Sequence, residues 1–91
     1  MVKREVTVVN VLGLHARAAA RFVRVAGQFT SAITVTRAAH TMDGKSILGL
    51  LFLSAARGSV LVIAAEGAER EDAETAVAAL VGLVERGFED A

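Results

Sequence analysis

From Glu69 to about Arg86, alanine, valine and leucine return every three or four positions. Ala73, Ala76, Val77, Leu80, Leu83 and Val84 fall on one stripe, with Glu71, Glu74, Thr75 and Glu85 opposite. A helix of this kind needs a second apolar layer, and a chain of 91 residues has little else from which to build one. Four short strand-like runs supply it. Val2 to Val9 places Val6 and Val8 on one face, Ala32 to Arg37 is a second strand, a return strand near His40 to Met42 closes a hairpin, and Ser59 to Ala65 is a fourth. Two more helices are predicted: residues 16 to 27, ending at Gly27, and Ile47 to Leu53, with Ser46 as N-cap. Gly87 is a natural stop for the last helix. The order β-α-β-β-α-β-α, with no repeat and no linker, predicts one domain over residues 1–91, a two-layer α+β sandwich with its helices on one sheet face. The hairpin requires pairing that is at least partly antiparallel.

Composition narrows the class of function. Cysteine is absent, so neither a disulfide framework nor a thiolate metal site is available, and a reducing cytoplasm suits the chain. The start, Met1-Val2-Lys3-Arg4-Glu5, lacks the apolar core of a signal peptide, and no run reaches the ~20 apolar residues of a membrane span, so a soluble cytosolic protein is expected. Net charge is zero but uneven. Residues 1 to 57 carry eight Lys/Arg against Glu5 and Asp43, and residues 58 to 91 carry eight Asp/Glu against Arg70 and Arg86. Tyrosine and tryptophan are absent and the basic residues form no dense cluster, which disfavours nucleic acid and leaves an acidic protein surface as the better partner.

The chemistry gathers at Leu12-Gly13-Leu14-His15-Ala16-Arg17, where a turn becomes a helix. First-turn amides have no intrahelical partners and the helix dipole is positive there, so an anion carried by His15 would meet donors already in position. Arg17 adds a guanidinium whose fork matches a phosphate. Imidazole is a competent nucleophile near neutral pH, so the arrangement points to a phosphoryl carrier. Metal binding is a poor alternative, because only Glu5 lies within ten residues of His15 as a further ligand, and no cofactor is implied. At about 100° per residue, Ala18, Ala19, Phe22, Val23 and Ala26 share the apolar side of that helix, while Arg17, Arg21 and Arg24 line the opposite one and suit electrostatic docking. The helix after Ser46 is apolar almost all round, with Ile47, Leu48, Leu50, Leu51, Phe52 and Leu53, so part of it must face water or a partner. His40 is given no role.

Gly13-Leu14-His15-Ala16-Arg17 resembles the active-centre motif of HPr, the histidine-containing phosphocarrier family of the bacterial phosphotransferase system. Asp43-Gly44-Lys45-Ser46-Ile47-Leu48-Gly49-Leu50 is similar to that family's regulatory-serine segment. The resemblance implies an open-faced β-sandwich with antiparallel strand order 1-4-2-3. It implies a relay in which enzyme I phosphorylates His15, with Nδ1 as acceptor and Arg17 attending the phosphate, and an enzyme IIA domain removes the group. It further implies HPr kinase/phosphorylase acting on Ser46, and contact of Ile47, Leu48 and Leu51 with enzyme I and enzyme IIA, leaving Leu50 and Leu53 for the core. The carrier is then a monomeric relay protein rather than a turnover enzyme. Many sugar-pathway members have proline where this chain has Ala18, and the run His15-Ala16-Arg17-Ala18-Ala19-Ala20 looks more like the nitrogen-related branch, NPr. Alanine is an excellent helix former, so the helix start is retained.

A rival reading is a regulatory protein-binding module acting through Ser46 and the apolar helix 47–53, with the histidine idle. The pairing of His15 with Arg17 argues against it. A small ligand- or RNA-binding domain lacks its stacking aromatics.

Overall fold

A computed structural model describes residues 1–90, with Asp90 through its backbone only; Ala91, included in the predicted domain, lies outside the described residues. The elements are β1 (Val2–Thr7), α1 (Ala16–Ala26), β2 (Ala32–Arg37), β3 (His40–Asp43), α2 (Ile47–Phe52), β4 (Val60–Glu66) and α3 (Arg70–Glu85), followed by a short C-terminal hook, Gly87–Asp90. The sheet is antiparallel throughout, in the order β1-β4-β2-β3. β4 runs between β1, with Val2 opposite Ala65 and Thr7 opposite Val60, and β2, with Ala32 opposite Glu66 and Thr36 opposite Val62. The fold is the predicted α+β open-faced sandwich.

Period-two alternation in the strands decides which face is covered. Ile33 and Val35 of β2 and Leu61 and Ile63 of β4 join one buried cluster with Phe22 of α1, Leu50 of α2, and Val77 and Leu80 of α3. Each such side chain contributes about 1.5–3 kcal/mol through its removal from water. Thr34 and Thr36 alternate with them on the open face, where Thr36 Oγ1 and Thr41 Oγ1 share a 2.8 Å hydrogen bond.

The stripe read from Glu69 onward is buried as expected, with Val81 added to it. Boundaries differ by one or two residues: β1 stops at Thr7 rather than Val9, and α1 at Ala26 with Gly27 as its cap. β4 begins at Val60 rather than Ser59, β3 extends to Asp43, and α2 stops at Phe52 with Leu53 as its cap. Gly87 does end α3, at φ 64, yet the chain then continues through Phe88 and Glu89, and Phe88 is wholly buried. Periodicity could not place that phenylalanine, because the hook that buries it is not regular structure.

α3 is tied to the start of β2 by Asp72. Its Oδ1 accepts from the Ser31 hydroxyl at 2.5 Å and the Ser31 amide at 3.0 Å, and its Oδ2 accepts from the Thr30 amide at 3.4 Å. These donors, the Ser31 hydroxyl foremost, hold the Asp72 carboxyl below its ordinary range against a smaller opposing effect of desolvation. A lowered folded value means that the stabilisation is complete above the unfolded value of ~3.9 and is lost as pH falls through the folded one. Asp72→Ala is therefore expected to melt below the parent at pH 7, with the difference shrinking below about pH 4. Melting curves at both pH values check this; a gap that stays constant into acid would contradict the assignment.

Candidate functional site

β1 hands over to α1 through a turn closed from both ends. Gly13 N–H donates to Asn10 O at 3.2 Å, and Asn10 Nδ2 donates back to Gly13 O at 2.8 Å. Gly13 has φ 69, in the left-handed region that favours glycine. It also lies so close to the 54–58 loop that an added Cβ would run into the Ala55 carbonyl oxygen. That carbonyl receives the Leu14 N–H at 2.8 Å, and the Leu14 side chain is buried. Arg37 steadies the far side of the loop, with Nη1 donating to Leu53 O at 3.2 Å and Nε donating to Ser59 Oγ at 3.3 Å. Sequence reasoning assigned nothing to Asn10, Ala55 or Arg37, since their roles lie in backbone carbonyls and loop contacts that residue patterns do not display.

On this support His15 is the N-cap of α1, with φ −84 and ψ −178. Its Nδ1 accepts from the Arg17 amide at 3.3 Å, an imidazole doing what a Ser or Asp oxygen does at most helix starts. An accepting Nδ1 is unprotonated, so the neutral ring carries its proton on Nε2. Nε2 is buried and has no hydrogen-bond partner among the described residues. The two ring nitrogens therefore differ: one faces the orphan amides of the helix start and the other is walled off. Ala18 and Ala19 are completely buried, whereas the Arg17 side chain is exposed and its guanidinium has no partner among the described residues.

Arg24 is exposed, as its place in the predicted row requires, but Arg21 is half-buried. The Arg21 guanidinium turns toward the C-terminal hook and donates to the carbonyls of Phe88 and Glu89. The three arginines therefore do not form one uniform solvent-facing line.

Ser46 caps α2 as expected, its Oγ accepting from the Gly49 amide at 3.0 Å. Asp43 Oδ1 accepts from the Lys45 amide at 2.9 Å, and Lys45 Nζ reaches Phe29 O at 2.7 Å, so the segment before Ser46 is held at both ends. Leu50 and Leu53 are buried, Leu51 is half-buried, Ile47 is exposed, and Leu48 is 80% exposed. Phe52, at 60% exposure, joins this outward face and packs edge-on against His40 with ring centroids 5.5 Å apart. Val11 and Leu12, 77% and 69% exposed, add apolar surface on the turn before His15. α1 and α2 pack against each other, which places the imidazole and the apolar helix on neighbouring elements.

The topology and the turn define a class of protein: a small open-faced sandwich that offers one imidazole nitrogen at a helix start. Residues 2–86 match the family PTS-HPr, described as the PTS HPr component phosphorylation site, and the chain belongs to that family, the HPr phosphocarriers of the phosphotransferase system. The phosphocarrier protein HPr of Pseudomonas putida is 43% identical over 91 residues, covering 99% of this chain and 98% of the relative. The phosphocarrier protein NPr of Shewanella violacea is 36% identical over 89 residues, covering 98% and 94%. Among solved structures, that of HPr-C-His from Thermoanaerobacter tengcongensis superposes with a TM-score of 0.91 at 38% identity, covering 100% of this chain and 99% of that one.

Proposed function

We propose that this phosphocarrier accepts a phosphoryl group from phosphorylated enzyme I on Nδ1 of His15 and passes it to an enzyme IIA domain. The observation that carries the choice of atom is the asymmetry of the ring, with Nδ1 directed to the helix start and Nε2 buried without a partner. In the accepting step the Nδ1 lone pair forms a bond to phosphorus as the bond from phosphorus to the donor breaks, and the proton on Nε2 stays in place. The incoming oxygens take over the Arg17 amide and its neighbours in the first turn, and the Arg17 guanidinium adds charge-assisted hydrogen bonds. The reverse sequence delivers the group to the next acceptor. The protein is thus substrate and then donor, and the turnover chemistry belongs to its partners.

Arg24, with the net charge of Arg21, biases encounter toward acidic surfaces, and Ile47, Leu48 and Leu51 supply the apolar contact. The test of the relay is incubation with phosphoenolpyruvate and enzyme I, followed by mass spectrometry and acid treatment. An acid-labile phosphate on His15 supports the reading, and an unmodified histidine overturns it in favour of a binding module acting through α2.

Ser46 is proposed as a regulatory site for HPr kinase/phosphorylase. Phosphate at a helix N-terminus is electrostatically favourable, so modification leaves α2 folded and places negative charge beside Ile47 and Leu48. Ser46→Asp retains a capping oxygen and is expected to raise the enzyme I concentration needed for half-maximal transfer roughly 5- to 20-fold, the effect of an unfavourable interfacial charge. Ser46→Ala loses about 1 kcal/mol of cap stability but retains transfer. Initial rates across a range of enzyme I concentrations check both; a Ser46→Asp protein that keeps the parent curve removes Ser46 from the interface.

A further inference from the structure

Three consecutive residues beyond α3 hold left-handed backbone: Gly87 at φ 64, Phe88 at φ 57 and Glu89 at φ 56. Glycine adopts this region readily, but phenylalanine and glutamate remain there only when surrounding contacts hold them. Two sets of contacts do so. Phe88 is fully buried in the core cluster, and the hook packs on both α3 and α1. From α1, Arg21 Nη1 donates to the carbonyl of Phe88 at 2.8 Å and to that of Glu89 at 2.5 Å.

The hook also backs onto the turn that carries His15. A β-carbon built on Gly87 would stand 3.5 Å from Asn10 Cβ, an ordinary van der Waals contact. Asn10 Nδ2 donates to Gly13 O, the same carbonyl that receives the His15 N–H at 2.9 Å. The hook therefore adjoins both supports of the imidazole, the preceding turn at Asn10 and the following helix at Arg21.

We propose that Arg21 and Phe88 are positioning residues for phosphoryl transfer: they hold the C-terminal hook as a clamp that fixes the Asn10–Gly13 turn and α1 in one arrangement around His15. The proposal rests on His15 being the phosphoryl acceptor. In-line transfer is sensitive to misplacement on the scale of 1 Å, so a clamp acts on the rate of the bound complex rather than on its formation. A docking arginine behaves otherwise. It acts on encounter, is screened by salt, and is largely replaceable by lysine. A clamp depends on the longer, planar guanidinium, whose Nη1 holds its N–H groups in fixed directions, where the shorter lysine carries a freely rotating ammonium.

The test compares Arg21→Ala, Arg21→Lys and Phe88→Leu, with Arg24→Ala as the docking comparison. Transfer is measured against enzyme I concentration, and the His15 imidazole is followed by nitrogen-15 NMR in the absence of enzyme I. Arg21→Ala is expected to lower the maximal rate roughly 10- to 100-fold, to change the half-saturating enzyme I concentration less than about twofold, and to move the imidazole signals toward the tautomer average of unconstrained histidine. Arg21→Lys stays slow, and Phe88→Leu, which keeps an apolar plug, falls between parent and Arg21→Ala. Arg24→Ala raises the half-saturating concentration and leaves the imidazole signals in place. Full rescue by Arg21→Lys, or a change in half-saturation alone, assigns Arg21 to docking and overturns the clamp. If the parent takes no phosphate on His15, the relay reading fails. The imidazole spectra then still decide the clamp: unchanged signals in Arg21→Ala reject it.

Discussion

His15→Ala is expected to take no phosphate from enzyme I while folding as the parent does. The reason for total loss is chemical: with the ring gone, no other imidazole stands at the helix start, the second histidine, His40, being on β3 against Phe52. The reason for intact folding is structural. His15 contributes one 3.3 Å hydrogen bond to the helix cap, at the long end of the useful range, and removing it costs about 0.5–1 kcal/mol. Loss of the ring also removes a buried, unpartnered Nε2, which offsets part of that cost. His15→Asn sharpens the test, because asparagine is a strong N-cap and should give a melting temperature at or above that of His15→Ala while remaining unable to carry phosphate. Mass spectrometry after exposure to phosphoenolpyruvate and enzyme I, with thermal melts alongside, reads both halves. Phosphate retained on either variant would mean that the acceptor lies elsewhere.

The sequence made the placement of that histidine legible because caps, turns and amphipathic stripes are local. His15 before an alanine-rich helix, Ser46 before Ile47, and the valine and leucine spacing of α3 each depend on residues within a few positions of one another, and each is found where the pattern puts it. The division of α2 comes from the family resemblance and not from its pattern, which is apolar almost all round; Leu50 and Leu53 do turn inward while Ile47 and Leu48 do not. What periodicity could not deliver is tertiary. Arg21 belongs by helical phase to the row of Arg17 and Arg24, yet carbonyls 67 and 68 residues further along draw its guanidinium aside. Phe88 follows a stop glycine, beyond the last element the pattern predicts, and only the left-handed path of the hook returns it to the core. Which ring nitrogen of His15 the fold encloses is likewise tertiary, and the sequence singles out Nδ1 only through the family resemblance. Leu12 and Phe52 are apolar yet exposed, which follows from a chain too small to cover every apolar side chain.

Gly13→Ala is expected to be the most damaging single-methyl change near the site, costing about 2–4 kcal/mol of stability and slowing transfer as well. Two effects add. At φ 69 a non-glycine residue carries about 1–2 kcal/mol of backbone strain, and the new methyl would be driven into the Ala55 carbonyl oxygen, which is backbone and cannot rotate away. Relief requires the 10–15 turn to part from the 54–58 loop, stretching the 2.8 Å bond from Leu14 N–H to Ala55 O, whose loss costs about another 1 kcal/mol. The same displacement moves Gly13 O, the acceptor for both Asn10 Nδ2 and the His15 amide, so the imidazole leaves its place over the helix start. Gly58→Ala isolates the first effect, because Gly58 has φ 94 and nothing within 4 Å of an added Cβ, so that the clash is read from the difference between the two variants. It should lose only the conformational share, about 1–2 kcal/mol, and transfer at the parent rate. Denaturant melts and single-turnover phosphorylation of the two variants make the comparison. Equal losses in both would show that the contact between the histidine turn and the Ala55 loop has room to yield, and that His15 is held by α1 and its neighbouring side chains without help from that loop.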